Sequence, residues 1–134
     1  MARNTIKSKK GTGLPFVYMA WEILNSAAFK ALTPSAGKAL PFFLGKPKKP
    51  YGDRDYYEIV FTFPYGEAIR FGFARATFFK IVEELIAKGF IDSIQKGGLR
   101  GEGKSFNRFK LSERWRGYGT KFFTVVSWKE FQPK

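Results

Sequence analysis

The chain has 134 residues, enough for one domain around one core. It carries 24 Lys and Arg against 11 Asp and Glu, a net charge of +13 that attracts polyanions, nucleic acid first and an anionic membrane surface second. Cysteine and histidine are both absent, which excludes disulfides, thiolate metal sites and Ser-His-Asp or Cys-His catalysis.

Residues 1–13 are polar and glycine-containing and read as a disordered basic arm with Arg3, Lys7, Lys9 and Lys10. Gly11–Pro15 follows these bases where a signal peptide would place an apolar run, and no segment approaches the roughly 20 apolar residues of a membrane span. A cytoplasmic protein without membrane contact is therefore expected. Residues 14–121 form the predicted domain and residues 122–134 a tail.

Within the domain, Phe16–Tyr18 is expected as a short strand. Met19–Leu32 reads as helix in two pieces around Asn25–Ser26. Thr33 and Pro34 open the next helix as cap and first-turn residue, and it should end near Leu44–Gly45. Gly45–Gly52 (GKPKKPYG) is a loop that presents Lys48 and Lys49. Tyr57, Ile59, Phe61 and Phe63 alternate, which predicts a strand over Tyr57–Phe63. Tyr65–Phe71 is a short helix closed by Gly72 in a left-handed cap.

Ala74–Lys88 is the clearest helix, with Phe78, Ile81, Val82, Leu85 and Ile86 on one face and Gly89 as its stop. Phe90–Gln95 and Phe106–Leu111 are strands joined by the glycine-rich turn Lys96–Ser105. Ser112–Arg116 is a short helical turn. Most of the 16 Phe residues are expected in the core.

The order helix, tight turn, helix, strand, glycine-rich tip, strand predicts an α+β fold: a winged helix-turn-helix, its helices packed on a small antiparallel sheet and wing hairpin. The helix 74–88 would enter the major groove of double-stranded DNA, with Arg75, Ala76, Thr77, Phe79 and Lys80 as its contact residues. Arg75 suits guanine, Ala76 permits close approach, Phe79 would meet a thymine methyl if exposed, and Lys80 suits phosphate. The wing would add Lys96, Arg100, Lys104 and Arg108, and the arm and loop would add Arg3, Lys7, Lys9, Lys10, Lys48 and Lys49. These are mainly phosphate contacts, which position the protein without reading sequence.

Charge is unevenly spread along the chain. Residues 55–95 carry four bases against six acids, whereas residues 96–121 carry eight bases against Glu102 and Glu113. Affinity should then come largely from backbone contacts and fall steeply with salt.

The segment Phe61–Ile91, FTFPYGEAIRFGFARATFFKIVEELIAKGFI, resembles the winged-helix domains of small bacterial, plasmid and phage DNA-binding proteins. The segments ALTPSA and RWRGYGT carry the same likeness, which spans about residues 15–123. It implies a transcriptional regulator, or a replication or maintenance protein of a mobile element. The turn before the recognition helix departs from that pattern. Ala74 stands where a capping Ser is usual, at a cost of about 1 kcal/mol, and Ala76 lacks a hydroxyl donor to phosphate.

Gly98–Ser105 (GLRGEGKS) fits the spacing of a phosphate-binding P-loop, but such a loop must run into a helix, and Phe106–Leu111 alternates as a strand. Catalytic residues, metal and cofactors are therefore not expected, and the chain is read as a non-enzyme. Glu83 and Glu84 point apart on their helix and suit pairing with Lys80 and Lys88. Trp21, Trp115, Tyr118 and Trp128 are expected in packing rather than in base stacking. The competing readings are a protein-interaction module and a binder of single strands or RNA. A homodimer stays open, with the aromatic tail as its candidate contact.

Overall fold

Helical structure begins with two single turns, α1 (Trp21–Leu24) and α2 (Ala27–Lys30). They separate where Ser26 takes an extended backbone and caps α2, its Oγ accepting from the Phe29 N–H at 3.0 Å. This is the break expected at Asn25–Ser26. The computed structural model describes residues 15–95 and 107–128. The predicted arm with Arg3, Lys7, Lys9 and Lys10, and the glycine-rich turn with Lys96, Arg100 and Lys104, lie outside the described residues.

The third helix, α3 (Pro34–Leu44), starts as its sequence dictates. Thr33 accepts from the Ala36 N–H through its side chain, and Pro34 fills the first turn. Thr33 in turn donates its N–H and its hydroxyl to Glu84, each at 2.7 Å. The carboxylate therefore fastens the start of α3 to a distant helix, rather than only pairing with Lys88, which lies at 3.9 Å.

The chain then passes through β1 (Phe61–Thr62), α4 (Tyr65–Arg70), α5 (Arg75–Lys88), β2 (Ile91–Gln95) and β3 (Arg108–Leu111). The three strands form one antiparallel sheet in the order β1-β3-β2. Phe61 sits opposite Phe109, and Ile91 opposite Leu111. The ladder is irregular between Ser93 and Gln95, and Ile94 faces water there. The class is α+β, with five α-helices and one three-stranded sheet among the described residues.

Two expected strands are corrected. Phe16–Tyr18 forms no strand; it is exposed and irregular. Tyr57–Phe63 shrinks to Phe61–Thr62, because its first half is spent on turns. The Tyr56 and Glu58 N–H groups donate to the Asp53 and Asp55 carbonyls, and Asp53 Oδ1 accepts from the Asp55 N–H. Hydrogen bonds satisfied within a turn cannot also join a ladder.

Phe43 of α3 lies at the centre of the core. Its ring lies 4.6 Å from Phe63, 6.0 Å from Phe78, 6.2 Å from Phe109 and 6.3 Å from Phe61. The apolar stripe of α5 is buried as its spacing predicts: Phe78, Ile81, Val82, Leu85 and Ile86 all lie inside. A 3₁₀ turn, Arg114–Gly117, follows β3 and stacks Trp115 on Phe90 at 5.9 Å. The tail then returns to the domain. Trp128 is 2% exposed, 5.1 Å from the Phe79 ring and 6.1 Å from Phe109, so the core draws on a residue beyond position 121.

The helical half is also clamped at its surface. Arg116 grips Glu22 with two parallel bonds of 2.8 and 3.0 Å and reaches Glu113 at 2.9 Å, while the Tyr51 hydroxyl donates to the same Glu22 carboxylate. The Arg116 guanidinium and then Tyr51 hold the Glu22 carboxyl at about 2, below its ordinary 4.5. A carboxyl depressed on folding contributes stability that is complete above the unfolded value and is lost as pH falls through the folded one. Melting temperatures recorded from pH 7 to pH 2 should therefore converge for the wild type and Glu22→Gln as pH drops from about 4.5 to about 2. Parallel curves over that window would remove Glu22 from the acid response.

Candidate nucleic-acid interface

The turn between α4 and α5 is built by glycine. Gly72 has φ +98°, and the Gly72 and Phe73 N–H groups donate to the Ile69 and Ala68 carbonyls at 2.9 and 3.0 Å. This closes α4 in a Schellman motif and aims the chain sharply into α5. Ala74 occupies the N-cap of α5 and supplies no side-chain bond. In place of a polar cap, Phe73 just before it packs on Phe78 four residues into the helix, ring centroids 6.4 Å apart. That is the geometry of a hydrophobic staple, which fixes the approach of the chain without satisfying the amides.

The first turn of α5 therefore presents Arg75, Ala76 and Thr77 to water with no acid among them. Helix N–H groups and the macrodipole make such a turn favourable for negative charge. The Arg75 guanidinium lies 4.9 Å from the Tyr65 ring, a cation–π contact that steadies it. Lys80 is exposed one turn on. Lys38 of α3 lies 5.2 Å from the Phe73 ring, and Arg70 ends α4 at the same turn. Neither base is among the contact residues expected from the sequence, because periodicity within one helix does not say which neighbouring helix brings a charge alongside.

Phe79 is the member of the expected contact set that is not freely exposed. It is half-buried, and its ring packs on Trp128. Glu83, on the same helix, is also half-buried. Among the wing residues, Arg108 is described: it is exposed on β3 and donates to Gln95 at 3.1 Å. In the loop after α3, Lys48 and Lys49 are exposed as expected. The segment following GLRGEGKS is β3, not the helix a phosphate-binding loop requires.

Several bases of the C-terminal third are committed to the fold. Arg114 reaches Asp92 at 2.7 Å and donates to the carbonyls of Ile86, Ile91 and Thr124. Lys110 pairs with Glu58 at 3.5 Å. Lys46, in the preceding loop, pairs with Glu67 at 2.6 Å. These pairs take bases out of the reckoning for a polyanion, whereas the α5 turn, the Lys48–Lys49 loop and Arg108 keep exposed cations, as do Lys30, Arg54 and Lys121 elsewhere on the surface.

Among the described residues there is no cluster of three or more metal-ligating side chains, and no helix is long and apolar enough to cross a membrane. No protein-family model, curated protein or solved structure matches the chain.

Proposed function

We propose that this chain binds double-stranded DNA through a winged helix-turn-helix. The element order α3, β1, α4, α5, β2, β3 and the sheet order β1-β3-β2 agree with that arrangement. The observation that carries the reading is the first turn of α5: exposed, free of acids, and surrounded by Arg75, Lys80, Lys38 and Arg70. Arg75 and Ala76 would approach base edges, Thr77 and Lys80 phosphate. Lys48, Lys49 and Arg108, with Lys96, Arg100 and Lys104 and the bases Arg3, Lys7, Lys9 and Lys10, would add phosphate contacts.

Packing against Trp128 suits Phe79 to supporting the helix from behind rather than to touching thymine. In this reading the protein is a cytoplasmic non-enzyme without cofactor. It would be a regulator or a replication or maintenance protein of a mobile element, and a dimer would provide selectivity.

Fluorescence anisotropy with a labelled duplex tests the proposal. Affinity should fall steeply as salt rises, and Arg75→Ala with Lys80→Ala should weaken binding about tenfold or more while reducing the salt slope by roughly one to two. Absence of salt-dependent duplex binding, or an unchanged affinity in the double variant, rejects it.

A further inference from the structure

Residues 16–18 and the loop after α3 enclose an open cleft of about 760 Å³ that uses none of the α5 residues. Phe16, Tyr18, Tyr51 and Tyr56 line it together with Lys48 and Lys49. The tyrosines are mutually arrayed, Tyr18 to Tyr51 at 5.2 Å and Tyr51 to Tyr56 at 5.4 Å. Phe16 is 85% exposed and Tyr18 55%, a display of ring surface to water that the packing of the domain does not use.

The charge of the cleft has one sign. No carboxylate lines it, and Lys48 and Lys49 make no ion pair among the described residues. Glu22, which accepts from Tyr51, is neutralised by Arg116. Burial pushes the Tyr51 and Tyr56 phenols well above their ordinary range, so both rings stay uncharged.

Lys48 adds a second feature. Its φ is +58°, in the left-handed region where glycine is comfortable and a lysine is strained. The loop thus holds a charged side chain at the cleft in a conformation that its backbone does not favour.

We infer that this cleft binds single-stranded nucleic acid, its bases stacked on Phe16 and Tyr18 and its phosphates against Lys48 and Lys49. Stacking platforms flanked by cations are the chemistry such strands require, and every base offers a π face. The chain's own first 14 residues do not suit the cleft, because they carry four bases and no acid. A membrane surface shares the aromatic and basic composition, but it is flat, whereas Phe16, Tyr18, Tyr51 and Tyr56 line a cleft with Lys48 and Lys49 at its side. The cleft shares Lys48 and Lys49 with the proposed duplex contact, but Phe16 and Tyr18 belong to the cleft alone and Arg75 and Lys80 to the duplex contact alone, so variants of these residues tell the two apart.

Binding of labelled oligo(dT) of 12 nucleotides tests the inference, with a duplex titrated in parallel. Phe16→Ala should weaken oligo(dT) binding about fivefold or more and leave duplex affinity unchanged. Lys48→Gly relaxes the backbone, so it should melt no lower than the wild type yet bind oligo(dT) more weakly. The inference is overturned if oligo(dT) does not bind, or if Phe16→Ala and Tyr18→Ala both bind it as the wild type does. It is equally overturned if free thymidine monophosphate competes as strongly as the oligomer, which marks a small-molecule pocket. Capture of phosphatidylserine vesicles in place of oligo(dT) also overturns it. Loss of duplex binding with oligo(dT) binding retained rejects the duplex reading alone.

Discussion

Replacing Gly89 by alanine should destabilise the fold by about 3 kcal/mol, lowering the melting temperature by roughly 10 °C. Two effects add. Gly89 has φ +91°, where an L side chain collides with its own backbone at a cost of about 1–2 kcal/mol. A Cβ there would also lie 2.6 Å from the Trp115 nitrogen and 2.8 Å from the Arg114 carbonyl carbon. Both are backbone atoms of the 3₁₀ turn and have no rotamer by which to retreat. The same contact carries a hydrogen bond, Trp115 N–H to the Gly89 carbonyl at 3.0 Å, so the turn cannot move off without losing it.

Gly72 is the internal control. Its φ is +98°, but nothing lies within 4 Å of its missing Cβ. Gly72→Ala should cost only the backbone part, about 1–2 kcal/mol. Chemical denaturation of the two variants separates conformation from crowding. Equal losses would show that the approach of the terminal turn to Gly89 contributes nothing.

The contrast between these glycines marks what a sequence discloses. Both helix stops were legible, because a glycine after an apolar stripe has a local meaning. The start of α3 was legible for the same reason, through Thr33 and Pro34. The strand Tyr57–Phe63 was misread because alternation records which face is buried, not whether a partner strand is present. Asp53 and Asp55 spend the neighbouring N–H groups on turns.

The candidate site was legible in part on the same terms. Arg75, Ala76, Thr77 and Lys80 emerge where helical period places them. Arg114 and Arg116 look in sequence like any other bases of a basic segment, yet their partners, Asp92 and Glu22, come from elsewhere in the chain. A charge count cannot see that withdrawal. Nor does it see the gain at the α5 turn, where Lys38 arrives from α3.

Trp128→Ala should cost about 3–5 kcal/mol, the largest single effect expected among the described residues. Trp128 is nearly inaccessible to water and covers two rings at once, Phe79 on α5 and Phe109 on β3. Its loss removes the lid between the proposed recognition helix and the sheet. Denaturant midpoints should fall for Trp128→Ala and recover most of the difference in Trp128→Phe, which restores an aromatic surface. A midpoint within experimental error of the wild type would mean that the tail does not pack on the domain.

Duplex affinity gives the second readout. Phe79 owes its half-buried position to Trp128, so the role of its ring can be separated from the stability of the fold. At low temperature, where Trp128→Ala remains folded, binding should weaken if the tail holds α5 at its working angle. It should strengthen if Trp128 hides a ring that DNA would otherwise meet. The proposed supporting role of Phe79 requires the first result, and the second would return Phe79 to the contact surface.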